Sequence, residues 1–190
     1  TTVAPVGVTV TGNSITKTGW NGDGNAGTFS DQVITADGSV STTVAETNTA
    51  RTIGLSGSDT DVSYSSIDYA LSMWADGSLR VYENRSNKGW VGTYATDDVL
   101  SVERTGSTIT YLKNDVVLYT SRVASTGDLH VDTSLTSKGA TLNDIVIKGD
   151  NLTAGATDFI ASSANFSVDT VTPPLTITLD DTALTAGETA

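Results

Sequence analysis

Apolar and polar residues alternate in short runs along most of the chain, and turn residues break the runs every eight to twelve positions or so. "VGVTVTG", "SITKTGW", "SDQVITADG", "SVSTTVAE", "ARTIGLSG", "IDYALSMWADG" and "SLRVYENR" have this character, as do "GWVGTYATDD", "VLSVERTGS", "TITYLKND", "VVLYTS", "LHVDTSL" and "ATLNDIVIKG". No stretch holds an apolar 3.6-residue repeat over three turns, so the pattern predicts an all-β chain. The ADG, TGS and KND triplets fit the tips of antiparallel hairpins. Strands of this number and spacing predict a two-sheet antiparallel sandwich of the jelly-roll kind.

The hairpin "YALSMWADGSLRVYEN" (69–84) allows a sharper reading, because register decides which side chains share a face. A two-residue Asp76-Gly77 loop would scatter the apolar residues over both faces. A three-residue Ala75-Asp76-Gly77 loop, with Gly77 left-handed, pairs Trp74 with Ser78 and Met73 with Leu79. Leu71, Met73, Leu79 and Val81 then share a core face, while Ser72, Trp74, Arg80 and Tyr82 share the other. That second face is either covered by another part of the sandwich or free to stack a sugar ring and hydrogen-bond its hydroxyls. Trp20 and Trp90 sit in the Gly-rich segments "TGWNGDGNAG" and "NKGWVGTY", which read as loops. The expectation is that each indole folds back to plug an end of the sandwich, with ligand contact in reserve.

After Gly149 the composition thins in apolar residues, and one alternating strand forms around Phe166 and Val168. Pro173-Pro174 cannot sit inside a central strand and reads as a linker. Beyond it, Leu175, Ile177 and Leu179 begin a new alternating strand. The expected organisation is therefore a jelly-roll module over 1–149, a connecting strand and linker over 150–172, and a truncated second domain over 173–190. The abrupt beginning and end predict a piece of something longer.

Charge narrows the choice of partner. Ten Lys and Arg against 22 Asp and Glu leave a net charge of −12, which argues against nucleic acid. No run of eighteen apolar residues occurs, so no helical membrane insertion is expected. With no cysteine there is neither a disulfide nor a thiolate metal site. Acidity serves solubility, and it also provides carboxylates for a divalent cation. Asp169, Asp180, Asp181 and Glu188 cluster around the proline linker and are the candidate ligands of a structural Ca²⁺ that would stiffen the joint; ordinary surface acid is the alternative. "WNGDGNAG" lacks the closing acid of an EF-hand loop, and Asp59 and Asp61 in "SGSDTDVS" read as a solvated turn.

Catalysis has little to stand on. His130 is the single histidine, and no serine lies in a G-x-S-x-G elbow. Neither "YEN" nor "VERT" supplies the paired carboxylates, about 5 Å apart, of a retaining glycosidase. The chain is read as non-catalytic.

The blocks IDYA, DG.L.VYEN, GTYA..DVL.VER, YLKN..VLYTS and VDTSL fall in order, and with "ATLNDIVI" they resemble a bacterial family of concanavalin A-like jelly-roll modules found in large secreted and surface proteins. The resemblance spans roughly residues 7 to 148. The tail "SANFSVDTVTPPLTITLDDTALTAGETA" resembles the joint between bacterial Ig-like repeats of giant type I-secreted adhesins of the RTX kind. These resemblances imply a β-sandwich on the bacterial cell surface, with adjacent Ig-like domains in the same long chain and Ca²⁺ as rigidifier. The leading expectation is an adhesin module that presents a surface to a cell-surface glycan or polysaccharide through Trp74, Arg80 and Tyr82. A purely structural spacer is the rival, and a carbohydrate-binding appendage of a polysaccharide-degrading enzyme is the third reading.

Overall fold

The structure is a computed structural model that describes residues 5–150 together with 152–153 and 168–169. The described residues form fifteen strands, numbered in chain order, in two sheets. One sheet runs β1 (Val8–Thr11), β2 (Ser14–Lys17), β13 (Thr141–Gly149), β4 (Gly38–Thr43), β9 (Val99–Thr105), β10 (Thr108–Lys113) and β11 (Val116–Thr120), with β15 (Val168–Asp169) parallel beside β13. The other runs β14 (Leu152–Thr153), β3 (Gly27–Ile34), β12 (Leu129–Leu135), β5 (Arg51–Ser56), β6 (Tyr69–Met73), β7 (Ser78–Glu83) and β8 (Ser86–Thr93). Every pairing except β13–β15 is antiparallel, and the chain crosses between the sheets as a jelly-roll, concanavalin A-like sandwich.

Each of the thirteen alternating segments read from the sequence carries one of β1 to β13. Their inward residues make one continuous core. Ile53, Leu55, Leu71, Met73, Leu79, Val81 and Val131 come from the seven-stranded sheet, and Ile15, Val40, Leu100, Val102, Ile109 and Ile147 from its partner. Burial of each such side chain is worth about 1.5–3 kcal/mol, which is why alternation sets the fold. In β13 the alternation breaks, since Leu142 and Ile145 are out of phase. A bulge between Asn143 and Val146, with Asp144 at φ 47°, restores it, and Leu142, Ile145 and Ile147 all reach the core.

Two features extend past the expected module edge at Gly149. Leu152–Thr153 adds to the edge of β3, and Val168–Asp169 pairs with Ile147–Lys148. The Pro173-Pro174 linker and the expected Ig-like segment over 173–190 lie outside the described residues. Among the described residues, no helix is long and apolar enough to cross a membrane.

Candidate functional site

The β6–β7 hairpin adopts the three-residue register. Met73 pairs with Leu79 and Ser72 with Arg80, while Gly77 N–H donates to Trp74 O at 3.0 Å with Gly77 at φ 80°. The two faces therefore separate as the alternation predicts. Leu71, Met73, Leu79 and Val81 enter the main core, and Ala70, Ser72, Trp74, Arg80 and Tyr82 point away from it. On this outer face a second small cluster forms from Ile67, Ala70 and Tyr82, with Tyr64 and Trp74 packed against it.

The loop 57–68 makes that cluster. Ile67 is fully buried, and the Tyr64 ring meets Tyr82 edge-on, with centroids 5.1 Å apart. Tyr82 is consequently only 8% exposed. Its expected role as an open ligand contact is corrected: a covering loop has taken its ring face. Trp74 is half-buried, and the Arg80 guanidinium carbon sits 4.3 Å from the centroid of its indole. Arg80 Nε is buried without a hydrogen-bond partner, a state that costs about 1–3 kcal/mol when nothing fills it. Between the two aromatics a trough of about 60 Å³ remains, walled by Tyr64, Trp74 and Thr136. Its floor is Thr52 and Ser72, whose hydroxyls lie 2.8 Å apart.

Sequence reasoning missed what holds the cover in place. Asp23, in "WNGDGNAG", accepts from Ser63 Oγ (2.7 Å) and Tyr64 N–H (3.1 Å), which ties loop 18–26 to the cover. Loop 18–26 is in turn gathered around Lys17. The buried Nζ donates to Asn25 Oδ1, Gly22 O, Leu135 O and Thr136 O at 2.6–2.9 Å. Desolvation pushes the Lys17 pKa down, and Asp23 opposes that shift. The oxygens that suggested a weak calcium loop are thus already engaged: Asn25 Oδ1 by the Lys17 ammonium, Asp23 by Ser63 and Tyr64, and Asn21 Oδ1 by Lys138 N–H at 2.6 Å. Asp61 is similarly occupied, accepting from Ser63 N–H and Ser66 Oγ at 2.8 Å each, and these bonds draw its pKa down.

Two expected plugs are corrected. Trp20 is 81% exposed and Trp90 66% exposed, so neither indole fills an end of the sandwich. Trp90 is also not in a loop: it lies on β8, directly across from Arg80, at bulges that break the β7–β8 register. β8 is an edge strand with one sheet neighbour, and Trp90 on it is left largely open to solvent. Trp20 stands on the Lys17-held loop, with Lys138 Nζ 5.2 Å from its ring centroid. Trp74, Arg80 and Trp90 are brought together on one face. Trp20 is not shown among them; its loop is tied to Thr136, whose carbonyl accepts from Gly22 N–H at 2.9 Å.

A hollow of about 530 Å³ opens beyond the tip of the same hairpin, between Ala75–Gly77 and Tyr94–Thr96. It is lined mainly by backbone and short side chains, and the Tyr94 hydroxyl there is spent on Trp74 O at 2.7 Å. That leaves little to orient a ligand.

The candidate calcium ligands Asp180, Asp181 and Glu188 lie outside the described residues, as does the Asp169 side chain. Among the described residues, no three His, Asp or Glu side chains gather in a metal-binding group. His130 is packed, stacked on Phe29 at 4.5 Å with Nδ1 2.7 Å from Ser30 O. Among the described residues two carboxylates are buried, Glu83 and Asp132. They lie on opposite faces of one sheet: Glu83 is bonded to Tyr111 in the core, while Asp132 accepts from Ser56 Oγ at 2.8 Å beneath loop 57–68. Burial raises the Asp132 pKa well above the ordinary value, with Asp59 and Asp68 adding to the effect. Two groups so placed cannot flank one scissile bond.

No family model matches the sequence, and no curated protein matches it. Among solved structures, the SPRY domain of human HERC1 is similar with a TM-score of 0.55 and 13% identity, over 74% of this chain and 91% of that one. A second human SPRY domain gives 0.54 and 13%, over 72% and 93%. At such identity the likeness shows the sandwich fold alone.

Proposed function

We propose that the chain is a non-catalytic module of a large bacterial cell-surface adhesin that binds a glycan or polysaccharide through the outer face of its seven-stranded sheet. The observation that carries this reading is the placement of the exposed Trp90 across from Arg80, which is itself stacked on Trp74. An exposed indole on a sheet edge is an aggregation liability unless something uses it. Indole faces stack on the C–H faces of sugar rings, and the trough beside Trp74 has the Thr52 and Ser72 hydroxyls at its floor.

A glycan and polysaccharide array tests this with the parent chain, Trp90→Ala and Trp74→Ala. Because Trp90 is largely exposed, its alanine variant should fold with an unchanged melting temperature and lose binding. Retained binding by the folded variant removes the site from this face. Silence across the array from the folded parent favours the second reading, a structural spacer, which the cover over Tyr82 supports.

The calcium part of the proposal rests on Asp169, Asp180, Asp181 and Glu188 around the proline linker. A cation bound only by the folded joint raises stability by mass action. No change in melting between chelator and millimolar Ca²⁺ would remove the calcium from the account.

A further inference from the structure

Resting on the glycan-binding reading above, we propose that the ligand is anionic and that Arg80 contacts the carboxylate of a uronate-type sugar. The guanidinium carbon lies over the Trp74 indole, 4.3 Å from its centroid, and a planar guanidinium is the group that pairs a carboxylate in bidentate fashion. Its Nε is buried and unpartnered, and among the described residues the side chain enters no ion pair. Asp76 feels the charge of Arg80, but it spends Oδ1 on Ser78 N–H (2.9 Å) and Ser78 Oγ (2.6 Å).

Other cations in the chain mark the contrast. Lys17, Arg51 and Arg104 are buried and donate to backbone carbonyls, and Arg51 also pairs with Glu46 at 3.6 Å, although its Nε, like that of Arg80, has no partner. Arg80 and Lys138 instead lie over Trp74 and Trp20, whose segments meet at Thr136. A chain of net charge −12 thus sets a cation over each of two indoles that are not buried. The distributed negative charge is screened beyond about 8 Å at physiological salt, so a short guanidinium–carboxylate contact survives it.

The test compares binding of the intact chain to polygalacturonate and to fully methyl-esterified polygalacturonate, which differ only in the carboxylate. Hyaluronate and neutral dextran form a second pair. Chelator is present throughout, so calcium bridging does not contribute. Each acidic polymer should bind at least about tenfold tighter than its neutral counterpart. Arg80→Gln should abolish that difference, and Arg80→Lys, with charge but no fork, should keep part of it. Equal binding of charged and neutral polymers would overturn the anionic assignment and leave the aromatic site standing. Charge-selective binding that survives Arg80→Gln in folded protein would overturn the role of Arg80. Absence of binding to all four polymers would overturn the anionic assignment, whereas the glycan reading on which it rests falls only with silence across the array.

Discussion

Lys17 Nζ lies 2.6 Å from Asn25 Oδ1, and the same ammonium binds carbonyls on both sides of the gap between loop 18–26 and the end of β12. One side chain thereby fixes the loop that carries Trp20 and, through Asp23, the cover that carries Tyr64. The aromatic face depends on a residue that never reaches it.

Lys17→Met keeps the length of the side chain and removes the donor. Three carbonyls and an amide oxygen would lose a charged partner, at about 3 kcal/mol in total. The melting temperature should fall by about 10 °C, and the Tyr64 cover should become protease-sensitive. An unchanged melting curve would show that water replaces the ammonium without loss.

Gly54 is where the cover docks. A Cβ there would lie 2.7 Å from Ile67 Cγ2 and press into the Tyr69 carbonyl oxygen. Gly54→Ala should therefore cost about 1–3 kcal/mol through overpacking, with cleavage appearing first within 57–68. Stability equal to the parent would mean that loop 57–68 shifts freely on the sheet.

The β7–β8 turn carries Asn84 at φ 48° and Arg85 at φ 67°, the signature of a type I′ hairpin. Arginine is poorly suited to the left-handed region, and its attraction to Asp61 acts across exposed surface. Arg85→Gly should raise stability by about 0.5–1 kcal/mol. A loss, measured by denaturant titration, would show that Arg85 anchors loop 57–68 more strongly than its exposure implies.

Asp132 makes stability pH-dependent. Its pKa is raised in the folded state, so the native chain holds a proton more tightly than the unfolded chain does. The stability associated with that proton is present below the ordinary carboxylate range and falls as pH rises toward the raised folded value. Asp132→Asn should melt higher than the parent at pH 7, lose that advantage at pH 3, and flatten the profile between. Parallel profiles for the two proteins would place the pH dependence elsewhere.

Alternation by itself determined the thirteen strands, the antiparallel hairpins and the face on which Leu71, Met73, Leu79 and Val81 lie. The reason is local: side chains alternate with a period of two, and a one-residue slip would put that whole set into water. The three-residue Ala75–Gly77 loop was legible for the same reason. Only the tertiary structure decided what lies over the other face. Tyr64 comes to Tyr82 through a loop whose sequence shows no periodicity, held by Asp23 some forty positions earlier. Burial of Tyr82 and exposure of Trp20 and Trp90 follow from sheet order and loop docking, which depend on contacts between distant segments. Arg80 and Trp90 share a face because β7 and β8 are neighbours, and the bulges around that pair follow from strand pairing, which the sequence of β8 alone does not specify.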